Sequence, residues 1–195
     1  KLKINQLYLD KKYLETIPLL LNLDTIDKKD TYSAAMLGRS FFNMDSLEKA
    51  KKYFKKVSIK DREDFKSHTY LGHIAMIEKK YRDANFRYMM ATYVGKEKRD
   101  EEYFGLGTLF FETNKIPEAI NAFKEAYAEN RKNHKALYQI AKLSDDYYKD
   151  KKIAYNEYKK YIENFYSRDE VISVFVERRI KEIKKEYFMA GETLD

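Results

Sequence analysis

Few residues in this chain have the types and spacing that chemistry requires, and what is present points away from catalysis. The three histidines are His68, His73 and His134. His68 and His73 stand five apart on one expected helix, not the four that brings two imidazoles onto one face for a metal, so His68 is expected to pack. Gly105-Leu106-Gly107 begins like a nucleotide loop, but its third glycine is absent and no strand precedes it. The acidic clusters Asp61 to Asp64 and Asp145-Asp146 lack the spacing and glycine of a calcium loop or a catalytic dyad. They are expected in turns, capping helix starts where free N–H groups and partial positive charge gather. With no cysteine, disulfides, thiolate metal sites and cysteine nucleophiles are removed together. No Ser/His/Asp arrangement can be argued. The expectation is a protein that is not an enzyme, with no catalytic residues, no cofactor and no metal.

The elements that must position any functional surface come from a repeat. Ala34-x-x-Leu37-Gly38-x-x-Phe41 is followed by Ala50-x-x-x-Phe54. His68-x-x-Leu71-Gly72-x-x-Ala75 is followed by Ala84-x-x-x-Tyr88, and Tyr103-x-x-Leu106-Gly107-x-x-Phe110 by Ala119-x-x-x-Phe123. Gly38 to Gly72 is 34 residues and Gly72 to Gly107 is 35; the alanines step identically, and each glycine precedes its alanine by 12. A weaker unit, Leu137-x-x-Ile140-Ala141-x-x-Ser144 then Ala154-x-x-x-Tyr158, has a gap of 13, placing one extra residue in the turn near Tyr148 to Lys152. At the front, Thr16-x-x-x-Leu20 stands 34 before Ala50 and reads as the second helix of a truncated first unit.

This pattern resembles that of the tetratricopeptide-repeat (TPR) family, W-x2-LG-x2-Y … A-x3-F … P, over residues 1–165 or so. The resemblance implies an all-α fold, a right-handed α-α superhelix of antiparallel helix pairs. The expected divisions are 1–30 (a truncated repeat, mostly second helix), 31–64, 65–99, 100–133, 134–167 (degenerate, one insertion), a capping helix over 168–190 and a tail over 191–195. Small residues are needed where paired helices meet closely, the role expected of Gly38, Gly72, Gly107 and Ala50, Ala84, Ala119. A glycine within a helix costs ~1 kcal/mol against alanine, so three in register need a packing reason. Large residues such as Phe54 and Phe123 are expected between neighbouring hairpins, because no unit can bury its face alone. Pro18 either lies in the opening turn of a helix beginning near Thr16 or kinks it; Pro117 fits a first turn. In the cap, Val171, Val174, Phe175, Ile180, Ile183 and Tyr187 recur at helical spacing.

Composition agrees. Among 195 residues, 44% are hydrophobic and 36% charged, with only six glycines and two prolines, a mixture suited to amphipathic helices. No apolar run approaches the ~18 residues of a membrane span, so a soluble protein without membrane insertion is expected. The chain opens at Lys1 without Met or a signal-like segment, and residues are expected to be missing ahead of it, leaving cytoplasmic and exported (periplasmic) locations both open. The charge of +7 raises a nucleic-acid reading around Lys49 to Lys60, but basic and acidic residues interleave as on a solvated surface.

In the TPR family the first helix of each repeat lines a concave groove through positions 2, 5, 9, 12 and 13. With each glycine at position 8, the resemblance places Tyr32, Ala35, Arg39, Phe42 and Asn43 there, then Lys66, Thr69, His73, Met76 and Ile77. Glu101, Phe104, Thr108, Phe111 and Glu112 follow, and then Lys135, Tyr138, Lys142 and Asp145. The partner-binding set expected from these is Tyr32, Arg39, Phe42, Lys66, His73, Met76, Phe104, Thr108, Phe111, Tyr138 and Lys142. The apolar members would form an interaction stripe if open, and would be lost if tight curvature of the array or the C-terminal helix folding back buried them. A carboxylate clamp of the family's kind is matched by Lys1, Asn5 and Lys66, but Met36 replaces an asparagine and Tyr70 an arginine, removing much of its hydrogen bonding. The expected function is a scaffold binding a peptide or partner helix. The alternatives are a nucleic-acid-binding basic surface and a structural segment of a longer chain, whose uncovered first end could pair with a second copy.

Overall fold

The computed structural model describes residues 1–27, 30–94 and 98–194; the expected divisions 1–30, 65–99 and 191–195 each include positions outside these. Eleven helices and no strand occur among the described residues. They run α1 Leu2–Leu9, α2 Tyr13–Ile26, α3 Tyr32–Asn43, α4 Leu47–Lys60, α5 Phe65–Ile77, α6 Tyr81–Val94, α7 Asp100–Glu112, α8 Ile116–Glu129, α9 His134–Tyr147, α10 Lys151–Phe165 and α11 Glu170–Met189. The chain divides into two units, Lys1–Glu97 and Lys98–Asp195, each with its own core.

Within both units the helices pair as hairpins, and four of the five pairs are made by the same turn. Lys11, Asp45, Lys79 and Asn114 adopt φ of 56–58°, the left-handed conformation that ends a helix. The next residue's N–H then reaches back five residues: Lys12 to the Leu7 carbonyl at 2.9 Å, and Ser46 to Phe41, Lys80 to Ala75 and Lys115 to Phe110 at 2.8 Å each. These residues repeat every 34 or 35 positions, so the backbone carries the period independently of the side-chain motif. Its first occurrence, at Lys11, closes a hairpin whose first helix has only eight residues. In the α9–α10 pair the corresponding residue, Tyr148, is extended (φ −86°, ψ 139°) and the left-handed turn is lost. Lys151 replaces it, its ammonium bonding the Asp145 and Tyr148 carbonyls.

The register glycines have a sharper cause than close backbones. A Cβ on Gly38 would stand 2.8 Å from the Phe54 ring, and one on Gly72 or Gly107 would stand 2.7 Å from the Tyr88 or Phe123 ring. Each glycine is therefore the seat of the aromatic on its own hairpin's second helix. This adds a contact within the hairpin to the role expected of Phe54 and Phe123 between hairpins. Phe54 does both, since its other face stacks on Tyr70 of α5 at 4.6 Å and 6°. Around these seats the first unit buries Leu20, Leu37, Phe41, Ala50, Leu71 and Ile74. The second buries Ala119, Ile120, Phe123, Leu137, Ile140, Tyr158 and Ile183.

Helix ends follow simple chemistry. Asp64, Asn133 and Asp169 accept hydrogen bonds from the N–H groups of Ser67, Ala136 and Ile172, capping α5, α9 and α11. Asp145 departs from its expected turn position: it lies within α9, 7% exposed. It is held by a two-pronged contact from Arg179 of α11, Nε–Oδ2 2.7 Å and Nη2–Oδ1 3.1 Å. Pro18 also departs from one expectation, because α2 starts at Tyr13 and runs through the proline, leaving the Leu14 carbonyl without its helical donor. Pro117 sits in the first turn of α8. In α11 the buried stripe is Ser173, Val176 and Ile183, while Val171 and Val174 are 82% and 61% exposed. The turn of the helix carries those two valines away from the face set by Ser173 and Val176, so they do not cover the core as expected.

Candidate functional site

In the first unit four of the expected site residues on α3 and α5 fall into two rows of equivalent repeat positions, joined on α1 by Asn5 and Tyr8. Asn5, Arg39 and His73 share one repeat position, and Tyr8, Phe42 and Met76 another. Hydrogen bonds cross between helices at both levels: Tyr32 Oη donates to Asn5 Oδ1 at 2.5 Å, and Asn43 Nδ2 donates to Tyr8 Oη at 3.0 Å. Phe42 meets Tyr70 edge-on at 5.2 Å and lies 6.5 Å from the His73 ring. His73 Nδ1 is 2.8 Å from Tyr88 Oη, so the aromatic seated on Gly72 also fixes this imidazole. Met76 is half-buried and Ile77 is 56% exposed. Lys66 is exposed, with its ammonium 5.6 Å from the Phe65 ring. Burial pushes the Tyr32 phenol up from its ordinary pKa, with Lys1 opposing.

Arg39 stands apart from these. It is half-buried, its Nε is closed to solvent without a hydrogen-bond partner, and it makes no ion pair among the described residues. Three of the aligned clamp positions are taken up by other contacts. Lys1 pairs with Asp30 at 2.5 Å. Met36 is 6% exposed and Tyr70 is stacked on Phe54. Thr69, one of the aligned groove positions, is 2% exposed and bonded to the Phe65 carbonyl.

In the second unit the expected residues are more dispersed. Phe104 lies edge-on to Phe123 at 5.1 Å, and Thr108 turns its hydroxyl back to the Phe104 carbonyl at 3.0 Å. Phe111 is 47% exposed and Lys142 is exposed. Tyr138 packs edge-on against Tyr161 at 6.2 Å and Phe175 of α11 at 6.0 Å, so the C-terminal helix covers part of it; burial raises its phenol pKa. Asp145, aligned at a groove position, belongs to the contact with α11. Burial would raise its carboxyl, but Arg179 and Lys151 hold it below the usual carboxylate range.

Asn5 and Tyr8 were legible in their present role: stepping the register back 34 from Arg39 and Phe42 lands on them, once α1 is granted to be a helix. Tyr70 was not, because its place in the aromatic cluster depends on Phe54 stacking across two hairpins. The lysine-rich α4 is not a free cationic patch throughout, since Lys51 pairs with Glu78 and Lys56 with Asp24. Among the described residues no group of three or more His, Cys, Asp or Glu could hold a metal ion, and no helix is long and apolar enough to cross a membrane.

No protein-family model matches the sequence, and no curated protein matches it. Solved structures are similar in fold. MamA from Desulfovibrio magneticus RS-1 aligns with a TM-score of 0.73 and 17% identity, covering 85% of this chain and 93% of that one. PilF of Pseudomonas aeruginosa aligns at 0.72 and 16% identity, covering 97% and 94%. YrrB, a TPR protein with an unusual peptide-binding site, aligns at 0.65 and 16% identity over 74% of each chain. A left-handed turn and a glycine-seated aromatic recurring every 34 or 35 residues are the local physics of that architecture, and this chain has the fold of the tetratricopeptide-repeat solenoids.

Proposed function

We propose that this protein is a non-catalytic scaffold that holds another protein, taking up an extended peptide or a partner helix against the face of its first helices. The observation that carries the reading is apolar surface at first-helix positions that hairpin packing does not consume. Ile77 and Phe111 are 56% and 47% exposed, and Phe42 and Met76 are half-buried beside polar neighbours. Aromatic and aliphatic residues so placed are the usual anchors of a protein interface. The peptide-binding site of YrrB supports the same use of the fold.

A library of random dodecapeptides selected against the full chain tests this. Selected peptides should bind Phe42→Ala/Phe111→Ala at least about tenfold more weakly, the scale of one lost anchor, while the melting temperature holds. Unchanged affinity in a folded double variant would overturn the reading.

A further inference from the structure

We propose that the first unit docks on an anionic lipid surface through the outer face of its second helices, α2, α4 and α6. This face lies on other helices than the peptide-binding one and stands apart from that reading.

One set of repeat positions makes the surface. Leu14, Pro18, Leu21 and Thr25 of α2 correspond, 34 residues on, to Glu48, Lys52, Lys55 and Ile59 of α4. A further 34 residues lead to Arg82, Phe86, Met89 and Tyr93 of α6. Steps of four, three and four keep each set on one helical stripe, and all twelve residues are exposed. The helices lie side by side: Lys56 of α4 pairs with Asp24 of α2 at 2.6 Å, and α4 and α6 together line a recess of about 240 Å³. The fold itself does not call for apolar residues here. At the same positions α8 has Pro117, Asn121, Lys124 and Ala128, and α10 has Lys152, Asn156, Lys159 and Glu163. Stacking does not cover the face either, because α4 has a hairpin before and after it and still exposes its four positions.

Charge and shape identify the occupant. Lys52, Lys55 and Arg82 make no ion pair among the described residues, and Glu48 is the one acid among the twelve. An anionic bilayer offers phosphate and carboxylate oxygens to these cations, and acyl carbon just beneath to Leu14, Leu21, Phe86 and Met89. Long basic stems reach past apolar neighbours to make such contacts, and the ring of Tyr93 is of the kind favoured at that boundary. The stripes run along the outermost line of each helix, so a broad surface touches all three, whereas a single partner helix fits between only two. The recess between α4 and α6 adds a seat for one headgroup. Lys51 and Glu78 pair with each other on its wall, Asp83 is its other acid, and Lys55 and Arg87 flank the Phe86 ring. A lipid phosphate entering it meets both of those cations.

Flotation of the full chain with lipid vesicles tests this, using phosphatidylcholine alone and phosphatidylcholine mixed with phosphatidylserine. The chain should float with the mixed vesicles and stay behind with the neutral ones, and added salt should release it. Lys52→Gln/Lys55→Gln should weaken binding to the mixed vesicles about tenfold or more, the loss of two cations at such a surface. Phe86→Ser/Met89→Ser should weaken it as well, and because both residues are exposed the melting temperature should hold. Lys124→Gln/Lys159→Gln removes two exposed lysines from the same repeat positions of α8 and α10 and should change nothing. No flotation with the mixed vesicles, equal flotation with both kinds, or equal losses for the two lysine pairs overturns the proposal. Self-association in the ultracentrifuge that Phe86→Ser/Met89→Ser abolishes, without vesicle binding, also overturns it and assigns the face to a second copy.

Discussion

At the scale of single residues, the glycine seats make the clearest prediction. Gly72→Ala adds a methyl 2.7 Å from the ring of Tyr88, which is 1% exposed and tied to His73. Alanine's helix preference gains about 1 kcal/mol, but overpacking costs about 1–3 kcal/mol. Thermal melts should show a net loss, which Tyr88→Leu in the same chain should reverse. Ala141, at the same position of the fifth hairpin, already carries its Cβ, so Ala141→Gly should cost about 1 kcal/mol from helix propensity. His68 gives a prediction in pH. Burial, then the charge of Arg87 with its Nη1 3.4 Å from Nδ1, holds the imidazole below its ordinary pKa. The unfolded chain therefore takes up the proton first, so stability is full above about pH 6.5 and declines as pH falls. Melting temperatures from pH 7 to 5 should show this slope. His68→Phe should flatten it in part, because His134 is shifted the same way by burial and by Arg168. The glycine register and the packing role of His68 were readable in the sequence because both repeat or fill a repeated position. The missing acceptor of Arg39 was not, because it depends on what neighbouring helices fail to supply.

At the scale of elements, α11 is held by polar contacts, Arg179 with Asp145 and Tyr187 with Asp150, as well as by its apolar stripe. Asp145 is 9% exposed in its side chain and Arg179 20%, so the pair is only partly solvated. Arg179→Ala leaves the carboxylate without its main partner, at a cost of about 2 kcal/mol, somewhat under that of a fully buried pair. Hydrogen exchange should show protection lost in α11 before α7 and α8. A helix after the last repeat was legible from its spacing of apolar residues, but its rotation was not. A spacing of three and four fits two adjacent stripes, and only contact with α10 and α9 chose Val176 over Val171 and Val174. That α1 is the first helix of a closed hairpin was hidden for a different reason. It has eight residues and no motif glycine, Ile4 standing in that place, and the turn at Lys11 is a backbone signal that residue types do not show.

At the scale of the whole molecule, stability lies in two cores, one for each unit, as expected where each hairpin is supported by its neighbours. Leu137→Ala removes a fully buried side chain from the second core, at about 2–5 kcal/mol. Hydrogen exchange should record the loss across α8 to α11, with α3 and α4 keeping their protection; equal loss in both would show one cooperative block. The shared turn has a further consequence for how the chain can be altered. The α3–α4 and α5–α6 hairpins close with the same backbone conformation, the same five-residue reach-back and the same ring-on-glycine seat, so they are interchangeable cassettes. A duplicated α3–α4 segment inserted in frame should lengthen the array by one hairpin rather than disrupt it. The α9–α10 hairpin cannot be moved in that way, because its closure is a lysine side chain rather than a backbone turn.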